Sequence, residues 1–229
     1  MGKPVQLITI IYFVIASIEV IAEVFVYTPL IIIFKPLIPL TLIVLYLAAS
    51  ETRNPLMVLA LSLSLLTNLL FIPDTDEMLF YAIIAFLVHR VLVIYLIALL
   101  VKINDLVPMV IATIPFMLIF FYLFLITDEI PENSFFILII QNLLIAVLGG
   151  IAVSSYVMSD NKASSWLLLC GLLFVLLQLI VFIERYYLSH LSPAILRPLA
   201  MGLNVFAFFA LCQFVIVAER SDDNAAASD

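Results

Sequence analysis

The stretch from Leu79 to Val101, LFYAIIAFLVHRVLVIYLIALLV, constrains this chain more than any other. It is long and apolar enough to cross a hydrocarbon layer of about 30 Å as one helix. Its middle carries His89 and Arg90. Each stands about 11 residues from an end, roughly 16 Å at helical rise. That is too far for a stretched arginine side chain to reach water. A lone charge at that depth costs at least a few kcal/mol. A chain that keeps it must surround it with other helices and supply a polar partner.

The rest of the sequence provides those helices. The chain is 66% hydrophobic and only 11% charged, with a mean hydropathy of +1.33. Most residues of a soluble domain touch water, so no soluble core needs so much apolar surface. The apolar segments are continuous rather than alternating, which excludes a β-barrel reading. The expected fold is an all-α integral membrane protein, a bundle of eight transmembrane helices over approximately 5–27, 30–49, 55–72, 79–101, 107–127, 134–157, 164–183 and 194–218. The breaks between them are polar or carry proline, as in Glu51-Thr52-Arg53-Asn54-Pro55 and Pro73-Asp74-Thr75-Asp76-Glu77. Residues 1–220 form one transmembrane domain, and 221–229 read as an acidic, disordered cytoplasmic tail. The first apolar run is too long for a signal peptide and lacks a small-x-small cleavage site, so it reads as the first span. Connections this short make sequential helices antiparallel neighbours.

Orientation follows from basic residues in short connections. One side carries Lys3, Arg53, Lys102, Lys162 and Arg220; the other carries Lys35, Arg185 and Arg197 among the acids Asp74, Asp76, Glu77, Asp128, Glu129 and Glu132. Both termini are expected in the cytoplasm, in a multi-pass protein of a bacterial inner membrane. The net charge of -7 argues against nucleic acid as a partner, and no soluble partner is implied. Cys170 and Cys212 lie inside apolar runs and read as free buried thiols. No metal-ligand spacing and no cofactor motif is present.

Helical rise gives the depth of the remaining polar residues. Glu19 and Glu23 lie one turn apart on one face of the first span. Lys35, one turn into the second span, falls at the depth of Glu23, and Glu19 at that of Arg90. Two ion pairs are therefore expected, Glu23–Lys35 and Glu19–Arg90. Ser64, Asn68, Gln141, Asn142, Gln178 and Asn204 fall in the same outer half. Such groups rarely face lipid tails, so they imply a polar pocket between helices, open toward the outer side. Taken singly, Asn68, Gln178 and Asn204 also read as interhelical glue worth on the order of 1 kcal/mol each. Lys35 alone has a second, lesser reading as a snorkelling anchor, and His89 alone reads as a satisfied core histidine.

Several short motifs now fall in order. Phe34-Lys35-Pro36-Leu37 opens the second span, and Leu61-Ser62-Leu63-Ser64-Leu65-Leu66-Thr67-Asn68 ends near Asn68. Ala85-Phe86-Leu87-Val88-His89, Gly171-Leu172-Leu173-Phe174 and Gln213-Phe214-Val215-Ile216 follow in spans four, seven and eight. This series resembles the YhhN family of eight-span membrane proteins, which includes the lysoplasmalogenases, and it covers essentially the whole chain. The resemblance implies hydrolysis of the vinyl-ether bond of a lysoplasmalogen by two motif aspartates. Here Asn68 and Gln178 stand at those positions. Protonating the alkene carbon and activating a water need an acid and a base. Amides hydrogen-bond but do not titrate in the useful range. Lys35 and His89 match the family pattern and suit a phosphate headgroup.

Four readings remain open on the sequence, the last a purely structural membrane subunit. One is a YhhN-like protein that keeps a lysolipid-headgroup pocket, with Lys35, Arg90, Gln141, Asn142 and Asn204 around the headgroup, and has lost hydrolysis. Another is an active hydrolase whose acid and base are drawn from Glu19, Glu23 and His89. The third is a small transporter, against which the lack of clear inverted repeats counts. The expected partner throughout is a membrane lipid or lysolipid.

Overall fold

The computed structural model describes residues 2–73, 75–101, 105–127, 132–159, 161–186 and 193–226. Lys102, Asp74, Asp128 and Glu129, used above for orientation and connections, lie outside them, as do the side chains of Asp76, Glu132 and Arg185. The described residues form helices and no strand: α1 Lys3–Val24, α2 Thr28–Ala49, α3 Pro55–Leu70, α4 Asp76–Leu100, α5 Leu106–Leu125, α6 Glu132–Met158, α7 Lys162–Tyr186 and α8 Pro193–Ala226.

Seven of these helices are long and apolar enough to cross a membrane. The exception is α3, at 16 residues, about 24 Å at helical rise and short of the usual spanning length. The expected third span reaches 72, but the backbone leaves the helix at Phe71 ahead of Pro73. At the other end of the chain α8 stays helical to Ala226, into the stretch read from sequence as a tail.

Local chemistry sets the helix starts. Proline stands in the first turn of α1, α2 and α3, where its missing N–H costs nothing. Side-chain oxygens cap several orphan amides: Asn54 accepts from Leu56 N at 2.9 Å, Asp105 from Val107 N at 2.9 Å, and Asn161 from Ser164 N at 2.8 Å. The α1 C-terminus closes as a Schellman turn: Tyr27 N bonds the Ala22 carbonyl at 2.9 Å and Val26 N the Glu23 carbonyl at 3.2 Å. That turn needs a left-handed residue. Val26 takes the position at φ 51°, where glycine would fit without strain.

Around the bundle α1, α2, α3, α4, α6, α7 and α8 each pack on the next, and α8 packs back on α1. The same helix also reaches α2 and α4. Sequential packing fails at one place. α4 packs on α6, and α5 is displaced to the outside of α6. Glycine makes this docking possible. A Cβ on Gly150 would collide with Thr113 of α5, and one on Gly149 would meet the Phe116 ring at 2.9 Å. Most of α5 faces outward, with Val110, Ile114, Leu118, Phe121 and Leu125 all exposed. In a bilayer such a surface needs no cover.

The core is solid at one end and hollow at the other. Leu45, Tyr46, Met57, Leu96, Ile97, Leu167, Cys170, Leu211 and Cys212 are fully buried. They lie on the C-terminal halves of α2, α4 and α8 and the N-terminal parts of α3 and α7. Both thiols are free and buried, as expected. The solid end is tied by Glu219, which accepts from Tyr46 Oη and from Ser50 Oγ, each at 2.6 Å. Tyr46 Oη accepts in turn from Asn54 N at 2.7 Å, and Arg220 donates to the Ala49 carbonyl at 3.1 Å. Sequence reading ends span eight at about 218, just short of Glu219, and assigns that residue no partner. The structure buries it, because α8 continues and brings the carboxylate against the α2–α3 turn.

Candidate functional site

At the opposite end the helices part around a cavity of about 650 Å³. Its rim includes Val26, Thr28, Phe71, Ile72, Leu79, Glu184 and Arg197. These residues sit where α1 turns into α2, α3 leads to α4, and α7 and α8 meet. Its deeper wall includes Phe86, Arg90, Gln178 and Phe208. From Leu79 to Arg90 along α4 is about 16 Å at helical rise, half a bilayer.

Two prolines shape the α2 wall. Pro39 has no N–H to give the carbonyl one turn earlier, that of Lys35. Asn68 of α3 fills the gap, its Nδ2 donating to the Lys35 carbonyl at 3.4 Å. The Lys35 side chain turns the other way, and its Nζ meets Glu23 Oε1 at 2.9 Å. The expected Glu23–Lys35 pair is therefore present, and the tight α1–α2 turn is what levels the two residues.

The other expected pair is absent. Arg90 Nη2 donates to Gln178 Oε1 at 2.6 Å, and Gln178 Nε2 donates to Asn142 Oδ1 at 2.7 Å. The Phe86 ring lies 4.3 Å from the guanidinium carbon, a cation–π contact. Neither Nε nor Nη1 of Arg90 has a partner. Glu19 is wholly buried and neither of its carboxylate oxygens is hydrogen-bonded. The physical reason is the order of the helices. α1 packs on α2 and α8, whereas α4 packs on α3, α6 and α8, so equal depth does not make Glu19 and Arg90 neighbours.

Of the residues singled out from sequence, Glu23, Lys35, Asn68, Arg90, Gln141, Gln178 and Asn204 line the cavity. Gln141 is held by its Nε2 on the Ile83 carbonyl at 3.0 Å. Three others lie off the lining. Asn142 stands behind Gln178. Glu19 is buried below Glu23, and His89 is enclosed between Phe86 and Phe208, with ring centroids at 5.9 and 5.2 Å. Neither nitrogen of His89 is hydrogen-bonded. Sequence reading missed the rim pair, Arg197 Nε to Glu184 Oε1 at 2.9 Å, because a longer connection between their helices leaves the register of the two unset in the sequence. It also missed the freed Lys35 carbonyl, which the second proline of Lys-Pro-Leu-Ile-Pro does signal.

The chemistry of the lining follows. Its carboxylates, Glu23 and Glu184, are each tied to a cation. The amides of Asn68, Gln141 and Gln178 point donors or acceptors at backbone and side chains. Among the described residues no three of His, Cys, Asp and Glu converge as a metal site. The wall combines apolar and polar groups, as small-molecule sites commonly do.

Fold and site thus define an all-helical, multi-pass membrane protein with a cavity walled by both apolar and polar side chains. Within that class the chain belongs to the YhhN family, whose model matches residues 30–219. No significant match to a curated protein or to a solved structure was found.

Proposed function

We propose that this protein holds a lysolipid-like amphiphile in its outer cavity and does not hydrolyse it. Membership of the YhhN family supports a lysoplasmalogenase-like membrane protein at the level of the family. One observation carries the step beyond that. Asn68 and Gln178, the amides that the resemblance sets at the family's two aspartate positions, are both engaged in hydrogen bonds, and the lining carboxylates are both in ion pairs. Vinyl-ether hydrolysis needs a proton donor and a base at the reacting atoms. The cavity offers positioning groups instead. The volume falls within the range of small-molecule sites, about 300–1,000 Å³. In this reading all eight helices cross the bilayer, the termini lie in the cytoplasm, and the cavity opens to the outer side.

The test uses the purified full chain in detergent with a lysoplasmalogen. No fatty aldehyde is expected, and saturable binding weakens at least tenfold in Lys35→Ala. Aldehyde release that disappears in Glu19→Gln or His89→Ala would instead establish a hydrolase with a relocated acid and base. The enclosure of Glu19 and His89 away from the cavity lining counts against that outcome.

A further inference from the structure

Among the described residues the charges of the cavity do not balance. Lys35 is neutralised by Glu23, and Arg197 by Glu184. Arg90, at the floor, meets only a neutral amide and the face of a phenyl ring. It is 4% exposed and two of its three guanidinium nitrogens lack any partner. At hydrocarbon depth an arginine in that condition calls for an anion. Glu19, one turn from Glu23 and within reach of the Lys35 charge, is on a helix that does not pack against α4, and it does not line the cavity.

We infer that the cavity floor is an anion subsite, in which the negatively charged end of a single-chain amphiphile displaces the Gln178 oxygen from Arg90. The inference rests on the amphiphile reading above and narrows it: the ligand carries a net negative head, a phosphate monoester or carboxylate, rather than a zwitterionic one. Gln178 is built to yield. It is part of the lining, and its oxygen is the neutral stand-in for the anion. When it turns away, a second home is adjacent. Asn142 Nδ2 has no partner and sits on the residue that Gln178 already touches. Arginine is the side chain best suited to the exchange, because its planar fork matches phosphate and carboxylate oxygens. A zwitterion gains less. Its cationic end finds no free carboxylate on the lining, since Glu23 and Glu184 are occupied.

The experiment compares three probes on the purified full chain in a non-ionic detergent, by calorimetry: lysophosphatidic acid, lysophosphatidylcholine with the same acyl chain, and glycerol 3-phosphate. Lysophosphatidic acid is expected to bind at least tenfold more tightly than lysophosphatidylcholine. Arg90→Gln removes the subsite but alters a buried residue. Gln178→Glu avoids that difficulty, because it has the same shape and sets a permanent carboxylate against Arg90. It is expected to weaken lysophosphatidic acid at least tenfold while the unfolding temperature holds or rises. Glycerol 3-phosphate binding as tightly as the lipid supports the subsite and identifies a soluble anion as the source; much weaker binding supports it with a membrane source. Equal affinity for the two lysolipids, or unchanged lysophosphatidic acid binding in a folded Gln178→Glu, overturns the subsite while leaving the amphiphile reading intact. Binding of glycerol 3-phosphate with no lysolipid bound keeps the subsite and overturns the amphiphile reading. Binding of none of the three overturns both.

Discussion

Removing one charge from the Glu23–Lys35 pair gives the most informative perturbation of the wall. The pair is close, at 2.9 Å, and its side chains are only 9% and 17% exposed. Taking one partner from a buried pair costs about 3–5 kcal/mol, because the survivor is left without compensation. Partial exposure of Lys35 lowers that, and the neighbouring Glu19 raises it, since Lys35→Met leaves two carboxylates one turn apart and no cation beside them. We expect about 3 kcal/mol, or roughly 6–12 °C in unfolding temperature for a chain of this size. The double change Glu23→Gln with Lys35→Met removes both charges together and is expected to recover at least half of the loss. Fluorimetry with a thiol-reactive dye suits the measurement, because Cys170 and Cys212 are fully buried and react with the dye only on unfolding. A Lys35→Met variant within 2 °C of the parent, on the scale just given, or a double variant worse than either single one, would refute the argument that this pair is a buried, mutually dependent unit.

Other consequences are independent of the cavity. Val26→Gly should raise the unfolding temperature by about 2–4 °C, because a β-branched residue at φ 51° gives up on the order of 1 kcal/mol of strain. Gly150→Leu should lower stability by at least about 3 kcal/mol and free α5 from α6, seen as new proteolytic cleavage between them; Gly202→Leu, which meets open space, should not. Glu219→Leu leaves the hydroxyls of Tyr46 and Ser50 without their acceptor and should cost about 2–3 kcal/mol in the same thermal assay. Asn68→Leu strands the Lys35 carbonyl and should cost about 1–3 kcal/mol; no loss there would mean that Pro39 leaves no unmet acceptor.

The contrast between the two expected ion pairs shows where reading residues in order succeeds. Glu23 and Lys35 are separated by one tight turn, so depth along adjacent antiparallel helices was enough to match them. Glu19 and Arg90 have equal depth too, but depth is one coordinate of three. Nothing in a one-dimensional pattern states that α1 and α4 are kept apart by α2, α3 and α8. The same limit hid the exterior position of α5, the Glu184–Arg197 pair at the rim and the burial of Glu219.

The amino-acid order alone determined that this chain lives in a bilayer, roughly where its helices begin and end, and that its intramembrane polar residues gather toward one end of the bundle. Those properties follow from local quantities: hydropathy summed over a helix length, prolines and caps at helix ends, and rise per residue. Which polar groups share the cavity, and which are sealed behind it, was decided only by helix rotation and neighbour order. Between apolar helices in lipid these are set by side-chain fit, such as Gly150 against Thr113 and Gly171 against Ala152, because hydrophobicity no longer distinguishes one face from another.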